Sequence, residues 1–211
     1  PLKLANPNLM IGLMGCLIGI QGNQAMEKRF PWVDIFAAPS DPEPFLRALE
    51  ERLQQDGSEA WRKQVDEVLD DEFGLRLEEA HFVSENLPIV LGCSHACTYC
   101  VIPSKRGKER SRDPEKILEE ARSLVAGGAR ELVLLGQIVD RFGLELEGNY
   151  HLPQLLADLS EIPDLRRLRF LTSHPNWMTD ELIDAVAILP KVMPHIEVPL
   201  QAGDDEILKR M

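Results

Sequence analysis

From residue 81 onward the apolar positions change period in a regular order, and the changes mark out elements. Ile89–Gly92 is a short apolar run and predicts a strand. Asp113-Pro114 then opens a predicted helix in which Ile117, Leu118, Ala121, Leu124 and Val125 keep helical spacing, with Gly127-Gly128 closing it. Glu131–Leu135 carries a continuous apolar run, the pattern of a strand covered on both faces of a parallel sheet. The order repeats: helix at Leu152–Leu159, strand at Leu168–Thr172, helix at Asp180–Leu189, strand at His195–Leu200 and a last helix from Asp204. Strand and helix in alternation imply parallel strands joined by right-handed crossovers. Periodicity alone does not separate an open doubly wound sheet from a barrel.

The first part of the chain is patterned less evenly. Met10–Gly15 predicts a buried strand ending at Cys16, followed by a helix from about Gly22 to Phe30 and a strand at Val33–Ala37. Pro42 to about Gln55 predicts another helix, with Asp41 as N-cap and Pro42 at its first position. Residues 57–80 are acidic and poorly periodic. They read as a linker between a domain over 1–56 and a domain over 81–211, and a surface helix around Trp61–Leu69 is compatible with that.

Composition narrows the picture. The 211 residues are 44% apolar and 27% charged, as in an ordinary globular protein. No apolar run is long enough to span a membrane, and no charged-then-apolar leader opens the chain. The chain starts at Pro1 and stops at Lys209-Arg210-Met211 inside a predicted helix, so both ends read as cuts through a longer protein. A net charge of −12 argues against non-specific attraction to nucleic acid. One segment opposes the trend: Lys105, Arg106, Lys108, Arg110 and Arg112 stand against Glu109 alone. It is either a solvated loop or a local cationic surface.

Of the 4 cysteines, three crowd into the run LGCSHACTYCVIP, spaced C-x3-C-x2-C at Cys93, Cys97 and Cys100. A disulfide framework spreads its cysteines to close loops, so this cluster points to metal and, with no secretory leader, to the cytosol. Three thiolates can hold three irons of a four-iron cluster and leave the fourth open to a small molecule. Two other readings remain: a structural zinc with His95 as fourth ligand, and a plant-type ferredoxin site, whose C-x4-C-x2-C spacing differs.

The run GCSHACTYCVIPSKRGKERSR, followed by LVLLGQIVDRFG, FLTSHPNWMTDELI and PHIEVPLQAGDDEILKRM, resembles in this order the tRNA methylthiotransferases of the radical S-adenosylmethionine (SAM) superfamily. That superfamily's signature is C-x3-C-x2-C with an aromatic, here Tyr99, before the last cysteine. Within it, the chain resembles the branch that makes 2-methylthio-N6-isopentenyladenosine beside the tRNA anticodon. The similarity covers about residues 8–55 and 81–211. It implies an α/β fold: the C-terminal part of a Rossmann-like methylthiotransferase domain, then the first part of a radical SAM partial (β/α) barrel. It also implies that Cys93, Cys97 and Cys100 hold a [4Fe–4S] cluster, that SAM chelates the open iron, and that an electron donor such as flavodoxin or ferredoxin feeds it. SAM then breaks to a 5′-deoxyadenosyl radical that activates the substrate adenine.

The resemblance assigns further residues. Met14–Cys16 resembles the last ligand of a second [4Fe–4S] cluster, which would supply the sulfur and is complete only with upstream cysteines; read by itself, Cys16 is a small residue ending a buried strand. Gly136, Gln137, Ser173 and Gln201 follow predicted strands where the superfamily binds SAM, although each also suits plain turn chemistry. His174 is a candidate substrate contact, as are Lys105, Arg106 and Lys108 for RNA phosphates, with Arg110 and Arg112 expected to turn inward. The segment GQIVDRFG departs from the pattern, since many relatives carry asparagines where Ile138 and Asp140 stand. A relative that methylthiolates an aspartate of a ribosomal protein is the rival enzyme. TSHP and PLQAGDD favour the tRNA branch, and a non-catalytic zinc- or cluster-stabilised module is the rival of another class.

Overall fold

Short apolar runs near the start of the chain form two short strands, β1 (Gly12–Met14) and β2 (Ile35–Ala37), paired in parallel with Gly12 opposite Ile35. The structure is a computed structural model and describes residues 2–6, 9–15, 18, 23–39, 42–56 and 82–211. Helices α1 (Leu2–Ala5), α2 (Asn23–Arg29) and α3 (Glu43–Asp56) accompany this pair. Ile18, Met26, Val33 and Phe36 are its buried core. Gly12 is needed for close approach: a Cβ there would lie 1.8 Å from the Phe45 ring. Cys16, the Asp41 cap and the linker over 57–80 lie outside the described residues.

The chain divides into two units, Pro1–Arg76 with Ser104–Arg106, and Leu77–Pro103 with Gly107–Met211. The second unit is built on a parallel sheet ordered β3-β6-β7. Its centre, β6 (Glu131–Leu135), has Leu132, Val133 and Leu134 buried, as its unbroken apolar pattern requires. On one side runs β3 (Ser84–Pro88), in register from Ser84 opposite Glu131 to Pro88 opposite Leu135. On the other runs β7 (Arg167–Phe170), with Leu132 opposite Leu168. Helices α5 (Pro114–Ala126), α6 (Leu152–Ser160) and α7 (Asp180–Ile188) bury their apolar stripes in one core with the sheet, among them Ile117, Leu155 and Leu182.

Two sequence expectations are corrected here. The first strand of the series is β3, upstream of the apolar run; Val90–Leu91 forms only a two-residue strand, β4, antiparallel to β5 (Arg110–Ser111). A polar strand with only Leu87 buried escapes a hydrophobicity reading, and Pro88 is tolerated because β3 is an edge among the described strands. The predicted strand at His195–Leu200 is not formed. The chain runs beside β7 through a single bridge at Leu168 and Val192, because Pro190, Pro194 and Pro199 have no N–H to give to a ladder. A short helix α4 spans Ile102–Arg106, and α8 (Asp205–Arg210) ends the second unit, capped by Asp204, whose Oδ1 accepts from the Ile207 N–H at 2.9 Å.

Candidate functional site

The cysteine loop begins where β4 ends, at Gly92. Its φ of 68° and the Lys108 carbonyl 2.2 Å from a would-be Cβ exclude any larger residue. The turn delivers Cys93, whose N–H donates to the Gly107 carbonyl at 3.1 Å, and a tight turn brings the Cys100 N–H to the Cys97 carbonyl at 3.0 Å. Across the loop, Thr98 meets the end of α8: its N–H donates to the Met211 carbonyl at 2.9 Å and its hydroxyl to that of Arg210 at 3.0 Å. All three cysteines are free thiols, Cys93 being buried. Burial pushes the Cys93 thiol up, with the Glu109 carboxylate adding to it; the His95 backbone N–H opposes both by favouring the thiolate.

The three cysteines line one cavity of about 540 Å³, a size that suits a cofactor or small ligand. Its remaining walls come from the carboxyl ends of β6 and β7, the edge at which such sheets bind ligands, together with the Pro-rich segment and the α8 end, Leu208 and Met211. After β6 come Gln137 and Ile138; after β7 come Thr172, Ser173, His174 and Asn176; after the Pro-rich segment comes Gln201. Two non-glycine residues in this wall hold left-handed backbone, Thr172 at φ 71° and Gln201 at φ 67°. For a β-branched threonine that is a strained conformation, of the kind that concentrates at functional sites. Ser173 is buried, and its Oγ is also buried without a hydrogen-bond partner at the cavity wall.

Of the residues singled out from sequence, Tyr99, Gln137, Ser173, His174 and Gln201 line the cavity with Cys93, Cys97 and Cys100. Gly136 does not. It packs beneath, where a Cβ would come within 3.1 Å of the Val90 Cβ, so its smallness serves packing. Lys105 and Arg106 are half-buried and Lys108 is exposed, all off the cavity wall. The expected inward pair is half corrected. Arg112 is 4% exposed and donates to the Pro88 carbonyl at 2.8 Å and to Glu120 at 2.5 Å, whereas Arg110 is exposed.

Trp177, Arg141, Asn176 and Glu109 were not singled out from sequence for this site, nor were the pairings they make with His95, His174 and one another. His95 stacks near His174, ring centroids 4.4 Å apart, and its Nε2 accepts from the Trp177 indole N–H at 2.9 Å. With Nε2 used as acceptor, neutral His95 carries its proton on Nδ1. That leaves Nε2 without a lone pair for the zinc reading. His174 is fixed the other way, its Nδ1 accepting from the Asn176 N–H at 3.2 Å. Its backbone N–H donates to Asp140 at 2.9 Å; burial pushes the Asp140 carboxyl up, and its Oδ1 has no partner. Arg141 lies 4.2 Å over the Trp177 ring, and its Nε–H is shared between the two carboxylate oxygens of Glu109. Spacing carries no trace of these pairings, which join residues from four separate loops.

The donor set fits an iron–sulfur cluster. Three soft thiols sit on one cavity, and a cluster takes them at separate corners. Among the described residues no three His, Cys, Asp or Glu side chains converge as a single metal ion would need.

The sequence profile of the Radical SAM superfamily matches residues 87–211, more than half of the chain. The tRNA-2-methylthio-N(6)-dimethylallyladenosine synthase of Roseiflexus sp. (strain RS-1) is 44% identical over 211 residues, which is all of this chain and 42% of that protein. The protein of the same name from Herpetosiphon aurantiacus is 43% identical over 212 residues, all of this chain and 45% of its own. A solved structure of a radical S-adenosylmethionine methyltransferase from Kitasatospora setae, with tryptophan substrate and a SAM analog bound, has a TM-score of 0.47 and 21% identity over 59% of this chain and 23% of that one. The chain thus spans less than half the length of the curated relatives it matches. A profile that begins within β3 and takes in every cysteine of the loop and every wall of its cavity identifies the chain as a member of the radical SAM superfamily, which works with a [4Fe–4S] cluster and SAM.

Proposed function

We propose that the chain is the SAM-cleaving part of a tRNA methylthiotransferase that converts N6-isopentenyladenosine beside the anticodon to its 2-methylthio derivative. The observation that carries this reading is the set of three thiols, Cys93, Cys97 and Cys100, opening on one cavity with polar side chains from the ends of β6 and β7 and from the segment beyond α7. Bound to those thiolates, a four-iron cluster supplies the electron that splits SAM. The chain's own residues hold and orient. Ser173 offers its unpartnered hydroxyl, and Gln137, Asn176 and Gln201 offer amides suited to the amino, carboxylate and ribose groups of SAM. Tyr99, 53% exposed, presents its ring at the mouth, suited to stacking on a nucleobase, and His174 faces the same space as a substrate contact.

In this reading residues 1–56 belong to a methylthiotransferase domain, 57–80 are a linker and 81–211 belong to the radical SAM domain. Cys16 joins two upstream cysteines around a second, sulfur-supplying cluster. Lys105, Arg106 and Lys108 face RNA phosphates, and a flavodoxin- or ferredoxin-type protein delivers the electron. The relatives named as tRNA-2-methylthio-N(6)-dimethylallyladenosine synthases support the tRNA substrate over the ribosomal-protein one. Anaerobic reconstitution followed by dithionite and SAM tests the centre. The parent releases 5′-deoxyadenosine and Cys97→Ala does not; a Cys97→Ala protein that still cleaves SAM refutes the assignment. In the full-length protein, Cys16→Ala should keep SAM cleavage and lose the methylthio product, read by nucleoside mass spectrometry.

A further inference from the structure

Four contacts link the cysteine loop to the loops that follow β6 and β7, and they close on themselves. The Glu109 backbone N–H donates to the Ser94 hydroxyl at 3.1 Å. The Glu109 carboxylate accepts from Arg141 Nε at 2.7 and 2.9 Å. The Arg141 guanidinium covers the Trp177 ring at 4.2 Å, and the Trp177 N–H donates to His95 Nε2 at 2.9 Å. His95 follows Ser94, so the path returns to its start between Cys93 and Cys97. It is also sheltered: the Glu109 side chain is 4% exposed and that of Arg141 16%. Removing one partner of a shielded ion pair leaves a buried charge uncompensated, so the pair holds its geometry, and a cation over an indole adds to it.

We propose that this closed ring positions the cysteine loop for its ligands before they arrive, with Trp177 and Arg141 as positioning residues acting through His95. The inference rests on the reading of the cavity as a cluster and SAM site. The ring fixes both the loop's path and the protonated nitrogen of an imidazole on the cavity wall. Trp177 and Arg141 reach the chemistry through His95, since neither of them lines the cavity.

The test uses the full-length reconstituted protein, with SAM affinity from equilibrium dialysis and the rate at which a chelator strips iron. Trp177→Phe keeps a ring beneath the guanidinium and deletes the N–H; Arg141→Lys keeps the charge and loses the planar stack. Each is expected to weaken SAM binding and speed iron loss about fivefold. Because a ring cut once is already open, the double variant should match either single rather than show their product. Multiplying effects, or a lowered unfolding midpoint with unchanged SAM affinity and iron retention, overturns the proposal. Should either variant fail to fold, Ser94→Ala cuts the ring on its far side and must give the same loss. A parent that binds neither iron nor SAM overturns the functional reading and this inference with it. A parent that binds both, with variants that match it, overturns this inference alone.

Discussion

Gly92 enters the cysteine loop at φ 68° with the Lys108 carbonyl crowding the space a side chain would need. Gly92→Ala should cost about 2 kcal/mol or more of unfolding free energy, since it combines a clash with strained backbone; urea denaturation reads it directly. Asp140 invites a test by pH. Its folded value is raised by burial, so between the ordinary Asp value of about 3.9 and that raised value the folded chain holds a proton that the unfolded chain releases. Stability therefore falls as pH rises through that window. Asp140→Asn keeps an oxygen for the His174 N–H and removes the buried charge. It should be more stable than the parent at pH 7, with the difference vanishing below about pH 4; a difference independent of pH would show that the carboxylate costs nothing. At this scale the sequence was legible where a residue acts through its own chemistry, as the cysteines do. It was silent where a residue acts through a partner brought from another loop, as Trp177 does for His95.

Helix α5 was readable from end to end, because its signals are local: an aspartate before a proline, apolar residues at helical spacing, and a glycine pair after the last turn. The Asp113 carboxylate accepts from the Glu115 N–H at 2.8 Å, and Asp113→Ala should cost about 1 kcal/mol. The strands were legible only where burial is two-sided. Polar β3 and the proline-broken segment beyond α7 defeat a reading by apolar runs, since their places are set by neighbours. Arg112 was legible in part: its inward turn was expected from the sequence, but its partner was not, and it is buried against Glu120 of α5, tying the end of β5 to that helix. Arg112→Met should cost about 3 kcal/mol by leaving Glu120 unpaired, and adding Glu120→Leu should recover most of that loss. Additive losses in a urea series would deny the pair any coupling.

Across the whole chain the net charge is −12, so under the proposed function approach to tRNA would depend on a local cationic surface. Lys108 and Arg110 are exposed between the cysteine loop and α5, while Lys105 and Arg106 are half-buried. The pair Lys108→Ala and Arg110→Ala should flatten the dependence of tRNA affinity on salt by about two phosphate contacts and leave SAM affinity untouched. An unchanged slope in filter-binding titrations would remove this surface from the RNA interface.

The left-handed turns at Thr172 and Gln201 bear on how the enzyme would respond to directed evolution. Each holds a conformation that costs of order 1–3 kcal/mol, against less than about 1 kcal/mol for the extra freedom a glycine brings to the unfolded chain. A library screened only for heat resistance should therefore favour Thr172→Gly. The same change loosens the backbone that presents Ser173 to the cavity. Clones chosen for survival at high temperature should emerge with poorer SAM affinity, and a second selection for activity should restore the threonine.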